Sequence, residues 1–150
     1  MAKALGIEVS SYRVLSYEPQ GPAFKPYEAL VCASFLHSLR LGNKWFHDIH
    51  TEIYYKTYHD LFERYLNAPT AIVRLAVLDE DKDVCLGWSL TRGSVLDYVY
   101  VKEDSLISFR KQGIGKSLLP KEFDTISHLT REGRAIWKAK FPKVIFNPFR

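Results

Sequence analysis

The fold of this chain can be worked out from one glycine-rich stretch, Phe109-Arg110-Lys111-Gln112-Gly113-Ile114-Gly115-Lys116-Ser117-Leu118-Leu119. It follows a β-rich run, Val95–Val101, and leads into leucines that suit the start of a helix. Two glycines at this spacing let the backbone turn tightly and approach a ligand closely. A helix that begins here leaves its first N–H groups unpaired, and such groups favour a phosphate. Arg110, Lys111 and Lys116 add positive charge, so the stretch predicts a turn that binds a diphosphate.

Two common phosphate-binding motifs do not fit these residues. A P-loop, G-x-x-x-x-G-K-[ST], needs a glycine where Arg110 stands. The dinucleotide fingerprint, G-x-G-x-x-G, needs its last glycine where Leu118 stands. The pattern that remains is R-x-x-G-x-G, from Arg110 to Gly115, which we call the glycine turn. An ordinary basic connection between a strand and a helix is the alternative interpretation.

Composition places the chain among globular proteins. Its 150 residues suffice for one domain with a proper core, which we expect to span residues 1–150, and 47% of them are hydrophobic. The net charge of +4 suits an anionic cofactor or nucleic acid. Cys32 and Cys85 form no C-x-x-C pattern, which favours reduced thiols. We find no signal peptide and no run of apolar residues long enough for a membrane span, so we expect a soluble, cytoplasmic protein with no membrane partner.

Periodicity along the chain predicts an alternation of strands and helices. Apolar residues recur at helical spacing over residues 27–41 and 50–66, and strand-like runs occupy residues 7–17, 71–78, 84–91 and 95–101. The last three strands are joined by short polar turns, which predicts an antiparallel meander. After the glycine turn we expect a helix shortened by Pro120, an apolar segment at 125–129, a helix capped by Thr130, and a final strand at 144–146.

The glycine turn and this order of elements together resemble the GNAT superfamily of acyl-CoA-dependent N-acetyltransferases. The resemblance implies an α+β fold (α/β three-layer) with a mixed, mostly antiparallel central sheet flanked by helices. It also implies that acetyl-CoA, or another acyl-CoA, donates an acetyl (acyl) group to an amine acceptor by direct attack. The pantetheine arm would lie beside the third meander strand, and the diphosphate would lie on the amides of the turn. The cofactor-binding residues implied are Val99, Val101, Arg110, Lys111, Gln112, Gly113, Ile114, Gly115 and Lys116.

Acyl transfer needs a polarised carbonyl, a deprotonated amine and a proton for the leaving thiolate. In the family a backbone N–H of the central strand polarises the carbonyl, which corresponds here to residues 99–101; such a donor is worth about 3 kcal/mol. Strand alternation predicts Tyr98 and Tyr100 on one face, and Asp97 on the other face with Val99 and Val101. Core packing of the tyrosines and a solvent-facing or salt-bridged Asp97 are the alternatives. The catalytic candidates are Tyr98, Tyr100, Asp97 and His128.

The sequence departs from the family pattern near its end. The usual thiolate acid is a Tyr on the last helix, and Trp137 stands at the matching position; an indole N–H can donate a hydrogen bond but releases no proton in this range. Ser127, His128 and Thr130 could substitute. Only four residues follow Phe146, so the closing hairpin either lacks a strand or borrows one from a partner, and a homodimer is among our expectations.

A second function remains open at this point. The basic C-terminal stretch and its aromatic residues are compatible with a catalytically inactive GNAT-like module that binds nucleic acid or a protein partner. The basic residues are Arg131, Arg134, Lys138, Lys140, Lys143 and Arg150, and the aromatic residues are Trp137, Phe141 and Phe146. The amine acceptor, whether a small molecule, a protein or a nucleic-acid-borne group, is not determined; Trp45 and Phe46 are candidates for its pocket wall. No complete set of metal ligands is found, and we predict no metal site.

Overall fold

A single mixed sheet organises the described part of the chain. The computed structural model describes residues 11–102 and 113–150. Within these ranges the strands are β1 (Tyr12–Tyr17), β2 (Ala71–Leu78), β3 (Cys85–Arg92), β4 (Val95–Val101), β5 (Thr125–Ile126) and β6 (Ile145–Phe146). The helices are α1 (Lys25–Leu41), α2 (Thr51–Leu66), α3 (Ile114–Ser117) and α4 (Arg131–Lys140), with a 3-10 helix at Lys44–Asp48.

Strand order follows chain order, β1-β2-β3-β4-β5-β6. The first four strands pair antiparallel, whereas β5 runs parallel to β4 and β6 runs parallel to β5. The expected meander is thus confirmed as β2-β3-β4, and the fold class is the predicted mixed, mostly antiparallel sheet with helices. The last strand does form, as a two-residue parallel partner of β5.

Helices α1 and α2 form where periodicity predicts them because each has one apolar stripe to bury. Their buried residues pack on the sheet face that carries Val73, Leu75 and Leu90. Phe35 of α1 stacks on Phe62 of α2 with ring centroids 4.4 Å apart. This side of the sheet holds the larger of two hydrophobic cores, which we call the major core.

The other sheet face carries a smaller cluster, which we call the minor core. Its buried members are Ala76, Leu86, Ile114 and Leu118. Ile114 belongs to α3 and Leu118 is its C-cap; the helix ends at Ser117, in agreement with the break expected before Pro120. Among the described helices, none is long and apolar enough to cross a bilayer.

Strand β4 contains a bulge that the sequence did not predict. Leu90 pairs with Tyr98 and Thr91 pairs with Leu96, so Asp97 is an extra residue without an opposite partner on β3. Because a bulge interrupts the alternation of side chains, the prediction that Asp97 shares a face with Val99 and Val101 is wrong. Its carboxylate instead lies with Arg92, which sits over Tyr65 of α2, on the major-core side.

Candidate active site

The described part of the glycine turn is built as a left-handed residue followed by a short helix. Gly113 has φ +76°, which glycine adopts without strain, and it stands at the N-cap of α3. Ile114 is fully buried in the minor core, whereas Gly113 and Lys116 are exposed. Ile114 therefore anchors the turn in the minor core, while Gly113 and Lys116 face solvent. Arg110, Lys111 and Gln112 lie outside the described residues, so their predicted contacts remain predictions.

Helix α3 lies directly against the end of β4. A Cβ on Gly115 would stand 3.5 Å from Cγ2 of Val101, an ordinary van der Waals contact. The buried Ser89 hydroxyl on β3 donates a hydrogen bond to the Leu118 carbonyl at 2.7 Å and fixes the end of the helix. These contacts bring the turn to the strand that we expected to hold the pantetheine arm.

The outer edge of β4 presents backbone groups beside this turn. The Lys102 N–H donates to the Leu86 carbonyl on β3 at 2.8 Å. Because N–H groups alternate along a strand, those of Val99 and Val101 point away from β3, toward the side on which β5 lies. The paired residues of β4 toward β5 are Val95 and Leu96, at the opposite end of the strand. The amides expected to polarise a carbonyl thus lie on the stretch of β4 that extends past its ladder with β5.

Asp97, a predicted catalytic residue, is an internal ion-pair partner. Its side chain is about 1% exposed, and Arg92 donates to its two oxygens from Nε at 2.6 Å and from Nη2 at 2.8 Å. The Ser127 hydroxyl donates to Oδ1 at 2.6 Å. Burial raises the pKa of Asp97, and the bonds from Arg92 and Ser127 oppose that rise. A carboxylate enclosed in this way holds the bulge in place and has no path to a substrate amine.

His128 is enclosed on the same side. Its Nδ1 lies 2.9 Å from the Ser127 hydroxyl, and its ring meets those of Phe35, Tyr58 and Tyr65 edge-on. Burial lowers the pKa of His128 to about 4, so the imidazole is neutral at physiological pH. Since Ser127 donates to Asp97, the neutral ring donates from Nδ1 to Ser127.

Serine, histidine and aspartate are therefore linked, but not as a nucleophilic triad. In such a triad the histidine stands between the serine and the carboxylate. Here Ser127 stands in the middle and is fully buried. The arrangement can position a strand end, and it cannot deliver a hydroxyl to a carbonyl.

The two candidate tyrosines share one sheet face, as predicted, but differ in burial. Tyr98 is 2% exposed, its ring meets Phe35 edge-on at 5.0 Å, and its hydroxyl lies 2.8 Å from that of Ser38. Tyr100 is only half-buried, at the margin of the major core near Trp88. Of the four predicted catalytic side chains, Tyr100 is the one with substantial access to solvent.

Trp137 is engaged in structure and supplies no acid. Its indole N–H donates to the Val144 carbonyl at 2.7 Å, and its ring packs near Phe146. Thr130 caps α4 as predicted, accepting a hydrogen bond from the Gly133 N–H at 3.1 Å. The first contact ties α4 to the segment before β6, and the second satisfies an N–H of the helix's own first turn.

The proposed pocket wall divides between core and surface. Phe46 is 4% exposed and packs among Tyr54 and Tyr58, so it belongs to the major core. Trp45 covers it with ring centroids 4.3 Å apart and is 61% exposed. Only Trp45 could contact an acceptor.

Two histidines near the start of α2, His47 and His50, hydrogen-bond to backbone groups. His50 accepts the Glu52 N–H at the start of α2, and Nε2 of His47 lies 3.0 Å from the Arg40 carbonyl. Across residues 11–102 and 113–150, the group with compatible spacing is His59, Asp60 and Glu63. All three are exposed, and we assign no metal to them.

Sequence reasoning missed Arg92, and it gave Ser127 only as a possible substitute for the missing acid, not as a partner of Asp97. An aspartate among β-branched and aromatic residues was a usable signal, because a buried carboxylate requires a partner. The identity of that partner depends on how β3, β4 and β5 pair, which no local pattern encodes.

Comparisons with known proteins add little to this geometry. No protein-family model matches the chain, and no curated protein matches it. The solution structure of apo-form YjaB from Escherichia coli is 20% identical, with a TM-score of 0.45 over 72% of this chain and 61% of the other, so the chain spans less than two thirds of YjaB. The crystal structure of a probable acetyltransferase is 17% identical, with a TM-score of 0.44 over 90% of this chain and 76% of the other. We base no function on likenesses this weak.

Proposed function

We propose that the protein is an acyl-CoA-dependent N-acyltransferase that acts on an amine. One juxtaposition supports the proposal. The glycine turn begins a helix that lies against Val101, at the end of a strand whose outward N–H groups belong to Val99 and Val101. An acyl-CoA requires amides that bind its diphosphate and, nearby, N–H groups that polarise its thioester carbonyl.

The residues of the turn fit an acyl-CoA diphosphate. Among the described residues, a Cβ on Gly113 would meet no atom within 4 Å, so none of them blocks the first turn of α3. The first-turn amides of Ile114, Gly115 and Lys116 have no acceptor within the helix. The exposed Lys116 side chain adds charge. Bound acetyl-CoA would supply a thioester, whose carbonyl is the group to be polarised.

Transfer then depends mainly on positioning. The outward N–H groups of Val99 and Val101 would stabilise the developing oxyanion, which is worth about 3 kcal/mol per donor. The amine nitrogen forms a bond to the acyl carbon while the carbon–sulfur bond breaks, and the amine loses one proton. We assign Tyr100 as the group that passes this proton from the amine to solvent water, because Asp97 and His128 are enclosed. The departing sulfur leaves as a thiolate and takes its proton from water.

Calorimetric titration of the full chain with acetyl-CoA tests the proposal. We expect saturable binding, and we expect Lys116→Glu to weaken it about tenfold, the effect of roughly 1.4 kcal/mol. Lys138→Glu on α4 makes the same charge change at an exposed site away from the turn and should leave binding unchanged. Absence of binding by folded protein at millimolar ligand, or equal effects of both variants, would overturn the proposal.

Transfer itself can be followed with labelled acetyl-CoA and three amine pools: small amines, proteins and RNA. The pool that gains label identifies the class of acceptor. Tyr100→Phe should then lower kcat and leave KM nearly unchanged, because the hydroxyl is assigned to proton transfer. A folded Tyr100→Phe variant with unchanged kcat would remove that assignment and leave acyl transfer intact.

A second candidate function is a non-catalytic module that binds nucleic acid. The observation in its favour is that the basic side chains of α4 are exposed while Trp137 serves structure. Against it, Phe141 packs with Phe123, and Trp137 packs with Phe146, so these rings are not free stacking platforms. Salt-dependent retention on nucleic acid that Lys138→Glu weakens, without affinity for acetyl-CoA, would favour this module.

A further inference from the structure

A cleft of about 710 Å³ opens on the sheet face that carries the minor core. Because α3 ends at Ser117, the chain crosses this face from Leu119 to Glu122 without a helix to cover β2 and β3. The described lining includes Ile72, Arg74, Thr91, Leu119, Lys121 and Glu122.

The cleft is distinct from the proposed acyl-CoA site. It begins at Leu119, just past the C-terminal end of α3, and extends to Thr91 and Gly93 next to the start of β4. The proposed diphosphate site is at the opposite, N-terminal end of α3, at Gly113.

Arg74 is the residue of the cleft best suited to bind an anionic ligand. Its guanidinium is half-buried, and the hydrogen bond found for it is from Nη1 to the neutral Thr91 hydroxyl at 3.0 Å. Across residues 11–102 and 113–150 no carboxylate lies within ion-pair distance of it. Burial lowers the pKa of Arg74. A guanidinium has five N–H donors, so most of its hydrogen-bonding capacity is left for a ligand.

Charge and shape restrict the class of ligand. Arg74 and Lys121 contribute two positive charges and Glu122 one negative charge, a balance that suits a monoanion better than a phosphate dianion. Ile72 and Leu119 supply an apolar surface. The planar fork of an arginine matches a carboxylate in bidentate fashion.

We propose that this cleft binds a small organic carboxylate, with the carboxylate on Arg74 and an apolar body against Ile72 and Leu119. The site is independent of the proposed acyl transfer, and its ligand is an effector.

The test is titration of the full chain with benzoate, followed by calorimetry and by amide chemical shifts. Benzoate should bind in the millimolar range and shift the amides of Ile72 and Thr91. Benzamide, the neutral isostere, and inorganic phosphate should each bind about tenfold more weakly, a difference of 1.4 kcal/mol. Equal binding of benzoate and benzamide would overturn the proposal, as would no binding of benzoate.

Variants locate the site and keep the test decisive. Arg74→Gln should weaken benzoate about tenfold, whereas Arg64→Gln on the exposed face of α2 removes the same charge and should have no effect. Two exposed positions guard against misfolding of the first variant. Glu122→Gln should tighten benzoate and Lys121→Gln should weaken it, because each changes the charge beside the carboxylate. Identical affinity in all four variants would reject the cleft as the site.

Discussion

Four side chains form a continuous polar chain between the two halves of the sheet: Arg92, Asp97, Ser127 and His128. Each buried side-chain nitrogen or oxygen of the described residues has a hydrogen-bond partner, so none of these four side chains leaves a buried polar atom unsatisfied. The histidine is its neutral end. These residues position β4 and β5, and the chemistry proposed above is left to backbone amides and Tyr100.

Acidification is expected to destabilise the fold through His128. Its pKa falls from 6.5 in an unfolded chain to about 4 in the folded protein, so only the unfolded state takes up this proton between those values. The free energy of unfolding should therefore drop by up to about 1.4 kcal/mol per pH unit as the pH falls from 6.5 to 4. Urea denaturation at a series of pH values measures this slope.

The comparison that isolates this residue is His128→Gln, which should flatten the slope over the same interval. His37→Gln removes an exposed histidine of α1 and should leave the slope as in the wild type. Parallel pH profiles for the wild type and His128→Gln would contradict the assignment.

At the scale of elements, β4 is the strand on which the site depends, and its neighbour β3 approaches it closely. A Cβ on Gly87 would lie 2.6 Å from the Tyr100 carbonyl oxygen and 3.2 Å from Cδ1 of Leu118. The close approach lets α3 pack over both strands. The bulge at Asp97 then sets the direction of the half of β4 that follows it.

Gly87→Ala is accordingly expected to destabilise the protein by about 1–3 kcal/mol, as overpacking of a core does. The clash is with backbone, so β4 or α3 must move. Gly115→Ala is the matched control, since its new methyl group would meet Val101 at an ordinary contact distance. Denaturant midpoints of the two variants test this prediction. Equal midpoints for Gly87→Ala and Gly115→Ala would show that β4 does not approach β3 at Gly87 as closely as described.

Prediction from sequence succeeded for elements long enough to show a recurring spacing of apolar residues. Helices α1 and α2 and the meander strands have apolar periods long enough to recognise, and the predicted ends lie within a few residues of those observed. Strands β5 and β6 have two residues each, too few for a period, and their parallel pairing joins segments distant in sequence. The bulge at Asp97 depends on register with β3. The turn formed by Gly113, Ile114 and Gly115, which lies beside the end of β4, was predictable because its glycine spacing can be recognised within a few residues of sequence.

At the scale of the whole molecule, the sheet separates two cores of unequal size. The major core joins both long helices to β2, β3 and β4, whereas the minor core has four buried residues, Ile114 of α3 and its C-cap Leu118 among them. Local stability follows the number of buried contacts. We therefore expect α3 to detach in an opening smaller than global unfolding.

Native-state hydrogen exchange in low denaturant tests this expectation. The Leu118 amide should exchange with a lower free energy and a shallower denaturant dependence than the amides of Leu75 and Leu90. Phe62→Leu, in the major core, should lower the exchange free energy of the strand amides by about 1 kcal/mol and leave that of Leu118 unchanged. One common free energy for all these amides would show instead that the two cores unfold together.

The pairing of the helices with a later meander has a consequence for the newly made chain. Helices α1 and α2 are complete at Leu66, but the strands that cover their apolar stripe extend to Val101. On a ribosome, which exposes the N-terminal part first, the stripe with Phe35 and Phe62 emerges before its cover does. During that interval of translation the nascent polypeptide exposes the apolar face of two helices. Chaperones bind surfaces of this kind until the covering strands have been synthesised.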